Sequence, residues 1–485
     1  MTFNSFLFLL FFPVVVSVYF MMPHKWRWAW LLLASCCFYM AFIPIYILVM
    51  FLLVIIDYTA ALLIESQQGW QRKTIVVISI VSTCTVLFVF KYFNFFNISA
   101  AFLTHHFGYQ YPIKNLSLIL PLGLSFHTFQ SLGYVIDVYR GTQKAQKHLG
   151  IYTLYVMFFP QLVAGPIERA RHLLPQFFEK HQFDVVRVSS GLKLMLWGFF
   201  QKVVIADRLA ILVNQVYANP SEYNGLSLIL ATVFFAFQIY CDFSGYSDIA
   251  IGVAEVMGFQ LVKNFKQPYL AISIADFWHR WHISLSTWFR DYVYFSLGGN
   301  RVSAWQWRLN ILITFVISGL WHGANWTFLV WGALHGFYYL FSRVTFSSCE
   351  NIVHWTGLSC LSEGYRWLQI GVTFALVCFA WIFFRANHLA DAGYIVGHLF
   401  SGWDQGLNFG VSGSASLGLT FREFLLSVVL IVFLLWVNGV EQTESIRLVL
   451  ARKPAFMRWA IYAGAALLIM NWGVAVPIPF IYFQF

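Results

Sequence analysis

Residues 276–301 read DFWHRWHISLSTWFRDYVYFSLGGNR, and residues 318–336 read SGLWHGANWTFLVWGALHG. Around these two stretches the chain is strongly apolar. Of 485 residues, 60% are hydrophobic, 20% aromatic and only 10% charged, whereas a soluble domain carries about 25% charged residues. The chain therefore reads as an all-α, polytopic membrane protein. Each ionised side chain at the centre of a bilayer costs roughly 2.5–3.5 kcal/mol on insertion scales, so Asp276, Arg280, Arg290, Asp291 and Arg301 together would cost on the order of 15 kcal/mol facing lipid. The first stretch must line a wet cavity, pair within itself or lie at the interface, and such residues mark a functional site by default.

Working outward, apolar runs recur near residues 5–22, 28–43, 45–64, 74–90, 116–138, 150–164, 190–217, 226–241, 309–320, 325–341, 367–384, 424–440 and 457–478. Crossing takes about 20 residues, which predicts roughly ten to twelve spans. The runs 150–164 and 309–320 are short and flanked by Pro or Gly, which predicts re-entrant or broken helices. No separate soluble domain is expected, and residues 1–485 read as one integral-membrane domain. The first run has no basic segment before it and is long enough to span, so it is not read as a cleavable signal. His24, Lys25 and Arg27 follow it, which puts that loop in the cytoplasm and the N-terminus outside.

The net charge of +10 comes from scattered Lys and Arg, which fits short cytoplasmic loops and argues against a nucleic-acid partner. The seven cysteines form no C-x-x-C pair, so neither a metal cluster nor a disulfide framework is expected, a Cys349–Cys360 bridge being the one pairing left open. No phosphate loop, dinucleotide fingerprint or G-x-S-x-G elbow occurs, which argues against an ATP-driven pump and a serine hydrolase.

Five constellations carry candidate chemistry. His322 lies among Gly319, Gly323 and Ala324, small residues that admit a close approach, with Trp321 and Trp326 as walls. A buried neutral imidazole suits general-base work, although it can equally serve as a core histidine bonded across helices. His279 and His282, three residues apart, are expected on one helical face, and Asp276 and Arg280 are spaced to pair. With His322 these histidines also allow a metal reading, although no carboxylate is spaced to complete a known ligand set. Arg290, Asp291 and the Gly-Gly-Asn turn read as a connector returning to the membrane. Asp242, Asp248 and Glu255 sit in an apolar helix and need partners or water; they read as a proton path or, the favoured reading, as structural partners of Arg280 or Arg290. Pro160, Gly165 and Pro166 break residues 158–177 into a hairpin that carries Glu168, Arg169 and Arg171.

These motifs together resemble the membrane-bound O-acyltransferase family, specifically its bacterial polysaccharide O-acetylation branch of the alginate and peptidoglycan type. The resemblance rests on PLGLSFHTFQSLGYVIDVYRG, AGPIERARHLLPQF, QIYCDFSGYSDIAIG, FWHRWHISLSTWFRDYVYFSLGGNR, SGLWHGANW and the final FIYFQF, and covers nearly the whole chain. It implies a ring of helices around a funnel-like tunnel in the bacterial inner membrane. It also implies a catalytic His322 and a second functional histidine at His282, with His279 outside the core site. Trp321, Asn325, Trp281, Ser286 and Arg290 are expected to contact substrates. The implied reaction moves an acetyl group from a cytoplasmic thioester, acetyl-CoA, towards an extracytoplasmic polysaccharide through a periplasmic acetyltransferase partner, with no permanently bound cofactor. A transporter without transfer chemistry and an intramembrane metalloenzyme using His279, His282 and His322 are the rival readings.

Overall fold

The computed structural model describes all residues except 163–164, 356–361, 412, 414, 475–477 and 484–485, and the side chains of 346–355, 362, 405 and 483. The pair Cys349 and Cys360 lies outside the described side chains. Among the described residues helix is the only regular structure apart from one isolated β-bridge between Gly410 and Leu419. Among the described residues five helical stretches are long and apolar enough to cross a membrane: Pro44–Ser66, Gly69–His106, Gly225–Met257, Glu363–Arg385 and Phe421–Val440. The protein is an all-α, multi-pass membrane protein. The count of five reflects length and composition; the shorter apolar helix Phe6–Met21 presents Leu9 and Val14 outward, and Ala455–Trp472 presents Trp459 and Met470 outward, as lipid-facing helices do.

The described residues pack into two compact units. One comprises Met1–Met195 and Ser247–Val262, the other Leu196–Tyr246 and Lys263–Phe485. In the first unit, Ile47–Ser66, Gly69–Leu87 and Leu124–Arg140 pack on one another. The broken hairpin is built from short pieces, Phe159–Leu162, Ala170–Leu173 and Pro175–Phe178. Its Glu168 is buried, accepts the Val262 amide at 2.5 Å and holds His172 at 2.7 Å. That carboxylate joins the hairpin to the segment that follows the Gly225–Met257 helix. The hydrogen bond and charge of Glu168 raise the His172 pKa above its ordinary value, against a smaller opposing effect of burial.

In the second unit, Ala304–His322 runs as one helix where the sequence suggested a broken one. Ser303 caps its start by accepting the Gln306 amide at 3.3 Å. It packs tightly on Trp326–Trp355, because glycines remove the side chains that would hold the backbones apart. A methyl on Gly319 would stand 2.2 Å from the Phe328 carbonyl oxygen, and one on Gly332 would stand 2.4 Å from that of Phe315. Gly319 lies one turn before His322, so this close pairing fixes the imidazole against the neighbouring helix.

The 276–301 stretch departs from the single helical face expected for His279 and His282. A first helix, Ile274–Arg280, is capped by Ser273, and a second spans Ile283–Trp288. Between them Trp281 is extended and His282 takes a left-handed backbone, φ 43°. The segment after Lys263 brackets this break. The Lys266 amide donates to the Arg280 carbonyl and the Ile283 amide to the Asn264 carbonyl, each at 2.9 Å. The Ser284 hydroxyl reaches Asn264 Oδ1 at 2.6 Å. The break turns the two histidines apart: His279 is exposed, with Nδ1 2.7 Å from the Ala275 carbonyl, while His282 is fully buried. The second helix then continues through a π turn at Phe289–Tyr294 to the glycine turn.

Candidate active site

Two buried histidines of the second unit, His282 and His322, sit among aromatic rings supplied by four separate segments. The His282 ring lies 6.1 Å from Trp321, and Trp321 lies 5.0 Å from His322. His322 is 5.6 Å from Tyr482, Tyr482 is 4.9 Å from Phe243, and Phe243 is 4.6 Å from His282. These five side chains close a loop, with the two imidazoles on either side of the Trp321 indole. Trp331, at 5.0 Å, and Phe384, at 5.3 Å, complete the surroundings of His322.

Two devices set this geometry. The left-handed turn at His282 aims that imidazole inward. The chain end is held by a buried ion cluster that sequence reasoning missed. Lys202 Nζ lies 2.7 Å from Asp207 and 2.8 Å from Asp242, and donates to the Ile478 carbonyl at 3.0 Å. The other Asp242 oxygen accepts the Ile481 amide at 2.8 Å. The tail is thus pinned on both sides of Phe480, and Tyr482 follows directly. Asp242 therefore pairs with Lys202, and not with Arg280 or Arg290 as the sequence suggested. Arg280 pairs with Asp276 at 2.8 Å, as its spacing predicted, and Arg290 with Asp291 at 2.9 Å. Lys202 and Asp207 are five residues apart, which an α-helix would turn away from each other. A π turn at Phe200–Ala206, with its i to i+5 repeat, brings them together.

The sequence-selected contact residues divide between this loop and its surroundings. Trp281 is buried in a stack with Phe277 at 5.5 Å and Trp381 at 5.1 Å. Asn325 caps the start of Trp326–Trp355, accepting the Thr327 amide at 3.1 Å and donating to the Asn387 carbonyl at 2.9 Å. The Ser286 hydroxyl donates to the Trp281 carbonyl at 3.1 Å. Ser286 and the exposed Arg290 line a cavity of about 270 Å³, together with Trp278, His279, Ser318 and Tyr339. His282 and His322 do not line it. Trp278 lies 5.8 Å from Trp331, and Trp331 lies 5.0 Å from His322, so ring follows ring from the cavity wall to the imidazole. Among the described residues no three His, Cys, Asp or Glu side chains come together in a metal-holding group.

The profile of the MBOAT, membrane-bound O-acyltransferase family, matches residues 148–383. The chain is 38% identical over 406 residues to a probable alginate O-acetylase AlgI of Pseudomonas aeruginosa, covering 82% of this chain and 74% of that protein. The chain belongs to the membrane-bound O-acyltransferase family. A probable alginate O-acetylase AlgI of Azotobacter vinelandii is 39% identical over 82% of this chain and 77% of its own length. A peptidoglycan O-acetyltransferase of Helicobacter pylori is 34% identical over 75% of this chain and 72% of its own length. The chain is thus a membrane acyltransferase. The matched family region includes His282 and His322 and ends before the tail that carries Tyr482. Acyl transfer needs a base for the attacking hydroxyl and a hydrogen-bond donor for the carbonyl oxygen, and two neighbouring imidazoles can fill both roles.

Phe243, Trp331 and Tyr482 were not selected from sequence. Phe243 and Trp331 look like ordinary apolar-helix residues, and a contact between residues 322 and 482 leaves no local pattern. Lys202 did carry a signal, a lone cation inside the apolar run 190–217 with Asp207 close behind it.

Proposed function

We propose that this protein is an O-acetyltransferase of the bacterial inner membrane that moves acetyl groups from a cytoplasmic thioester, acetyl-CoA, towards an extracytoplasmic polysaccharide. The observation that carries this reading is the pair of buried imidazoles, His282 and His322, on either side of Trp321. His322 Nδ1 or Nε2 takes the proton of the attacking hydroxyl as its oxygen bonds to the acetyl carbon. His282 donates a hydrogen bond to the carbonyl oxygen as negative charge develops there. The carbon–sulfur bond then breaks, and the thiolate takes the proton back from His322. No enzyme nucleophile is needed when the hydroxyl attacks directly. Trp321 packs against both imidazoles and helps exclude water from them.

The acceptor class follows the relatives, named for alginate and for peptidoglycan. Acetyl passes outward to a periplasmic acetyltransferase partner, which sets the final acceptor. Residues 1–485 act as one functional domain, with the N-terminus on the periplasmic side. The cavity at Ser286 and Arg290 is the donor's approach, and Trp278 and Trp331 separate it from His322.

The test is complementation of a deletion strain with wild type and His322→Ala at equal expression, reading base-labile acetate on separated peptidoglycan and exopolysaccharide fractions. Wild type restores ester acetate to one fraction. His322→Ala loses about 10²–10⁴-fold in rate, the usual cost of removing a general base. Equal restoration by the variant overturns the role of His322. No acetate in either fraction with wild type overturns the acetyl-to-polysaccharide reading.

A further inference from the structure

Asp57 lies in the first unit, inside the apolar span Pro44–Ser66, and is fully buried. An acid at this position in a spanning helix requires a partner. Among the described residues no Lys or Arg side chain pairs with it. Its immediate company is neutral hydroxyls from neighbouring helices. Ser79 and Thr83, one turn apart on Gly69–Leu87, donate to Oδ1 at 2.7 Å and 3.0 Å. From Leu124–Arg140 the Ser131 hydroxyl also faces the carboxyl. Oδ2 has no hydrogen-bond partner among the described residues, and neither do the hydroxyls of Thr128 and Tyr152. Thr128 lies one turn from Ser131, whose hydroxyl reaches its carbonyl only at 3.4 Å. Tyr152 is close enough to feel the Asp57 charge. All six side chains are buried.

An ionised carboxylate here is a buried charge without a countercharge, which is strongly unfavourable. Orphaned buried oxygens add to the cost, because buried polar groups are almost always satisfied. One small cation at Oδ2 answers both conditions. It supplies the missing positive charge, and it draws on hydroxyl lone pairs: those of Ser79 and Thr83, which donate their protons to Oδ1, and those of Thr128 and Tyr152, which have no other partner among the described residues. Hard cations take oxygen ligands of this kind. One carboxylate among neutral ligands balances one positive charge, whereas a divalent ion would leave a buried net charge. We propose that Asp57, Ser79, Thr83 and Ser131, with Thr128 and Tyr152 beside them, form a binding site for a monovalent cation of sodium's chemistry. The site joins Ile47–Ser66, Gly69–Leu87 and Leu124–Arg140, so occupancy couples the packing of these helices to the ion. It uses none of the residues assigned to acyl transfer.

The experiment uses the full-length protein in detergent at fixed pH and ionic strength, with sodium chloride exchanged stepwise for choline chloride. The unfolding midpoint rises with sodium and saturates, as binding to the folded state alone requires. Equilibrium binding of radioactive sodium gives one ion per chain. Potassium in place of sodium also supports the site if its effect saturates and competes with the radioactive ion. Asp57→Asn abolishes both the sodium dependence and the bound ion. Where that variant does not purify, Thr83→Val keeps the carboxylate, removes one hydroxyl and weakens sodium binding about tenfold. A wild-type midpoint identical in sodium, potassium and choline overturns the proposal, as does sodium dependence unchanged in Asp57→Asn or Thr83→Val.

Discussion

Replacing Lys202 with Met tests whether the buried ion cluster holds residues 478–482 at the candidate active site. Methionine keeps an unbranched stem and removes the charge. The Lys202 side chain is 1% exposed and those of Asp207 and Asp242 are 3% exposed, so water cannot take over its role. Removing one partner of a buried ion pair costs about 3–5 kcal/mol, because the remaining charge stays buried and uncompensated. At about 1.4 kcal/mol per factor of ten, that lowers the folded-to-unfolded ratio by roughly 10²–10³ or more. The loss is also directed. The bond to the Ile478 carbonyl disappears outright, and Asp242, now lacking its cation, is driven to protonate or rearrange beneath the Ile481 amide. Tyr482 then leaves its position 5.6 Å from His322. The assay is the unfolding midpoint of the purified protein, with ester acetate transfer measured in parallel. Lys202→Met lowers both. Adding Asp207→Asn and Asp242→Asn removes the stranded charges and recovers much of the midpoint, since a neutral replacement of a buried pair is often tolerated. A Lys202→Met midpoint equal to wild type, or no recovery in the triple variant, refutes the reasoning.

Three further outcomes follow from the same geometry. His282→Gly is more stable than His282→Ala by about 1–2 kcal/mol, because only glycine occupies the left-handed backbone without cost; both lose acetate transfer, and equal midpoints would remove the strain argument. Gly319→Ala forces its helix away from the Phe328 carbonyl and costs about 1–3 kcal/mol as an overpacked contact, read as a lower midpoint with reduced transfer. The His172 pKa is raised in the folded state by Glu168, so its contribution is complete below the ordinary histidine value and is lost as pH rises through the folded value. The wild-type midpoint therefore falls slightly above about pH 6.5, and a midpoint-against-pH slope unchanged in His172→Gln would rule out that linkage.

The class of the protein was legible in composition and run length, since apolar runs near 20 residues satisfy their backbone in a membrane as helices, whereas barrel strands are about half that length. His322 stood out because a polar ring inside an apolar, glycine-lined run is conspicuous, and His282 because it sits in the one dense patch of charge. The Asp276–Arg280 pair was readable too, being one turn apart on a single helix. The errors came where the backbone leaves ideal α geometry. Periodicity put His279 and His282 on one face, but the Asn264–Lys266 segment bonds across the gap between two helices and reverses His282. Periodicity also hid the Lys202–Asp207 pair, which only a π turn aligns. What tertiary structure alone decided is the partner of each buried polar group: Lys202 for Asp242, Ser79 and Thr83 for Asp57, and a tyrosine from the chain end for His322. Local sequence sets which face of a helix is apolar. Which helix meets that face is settled by packing between segments far apart in the chain, and no spacing rule encodes it.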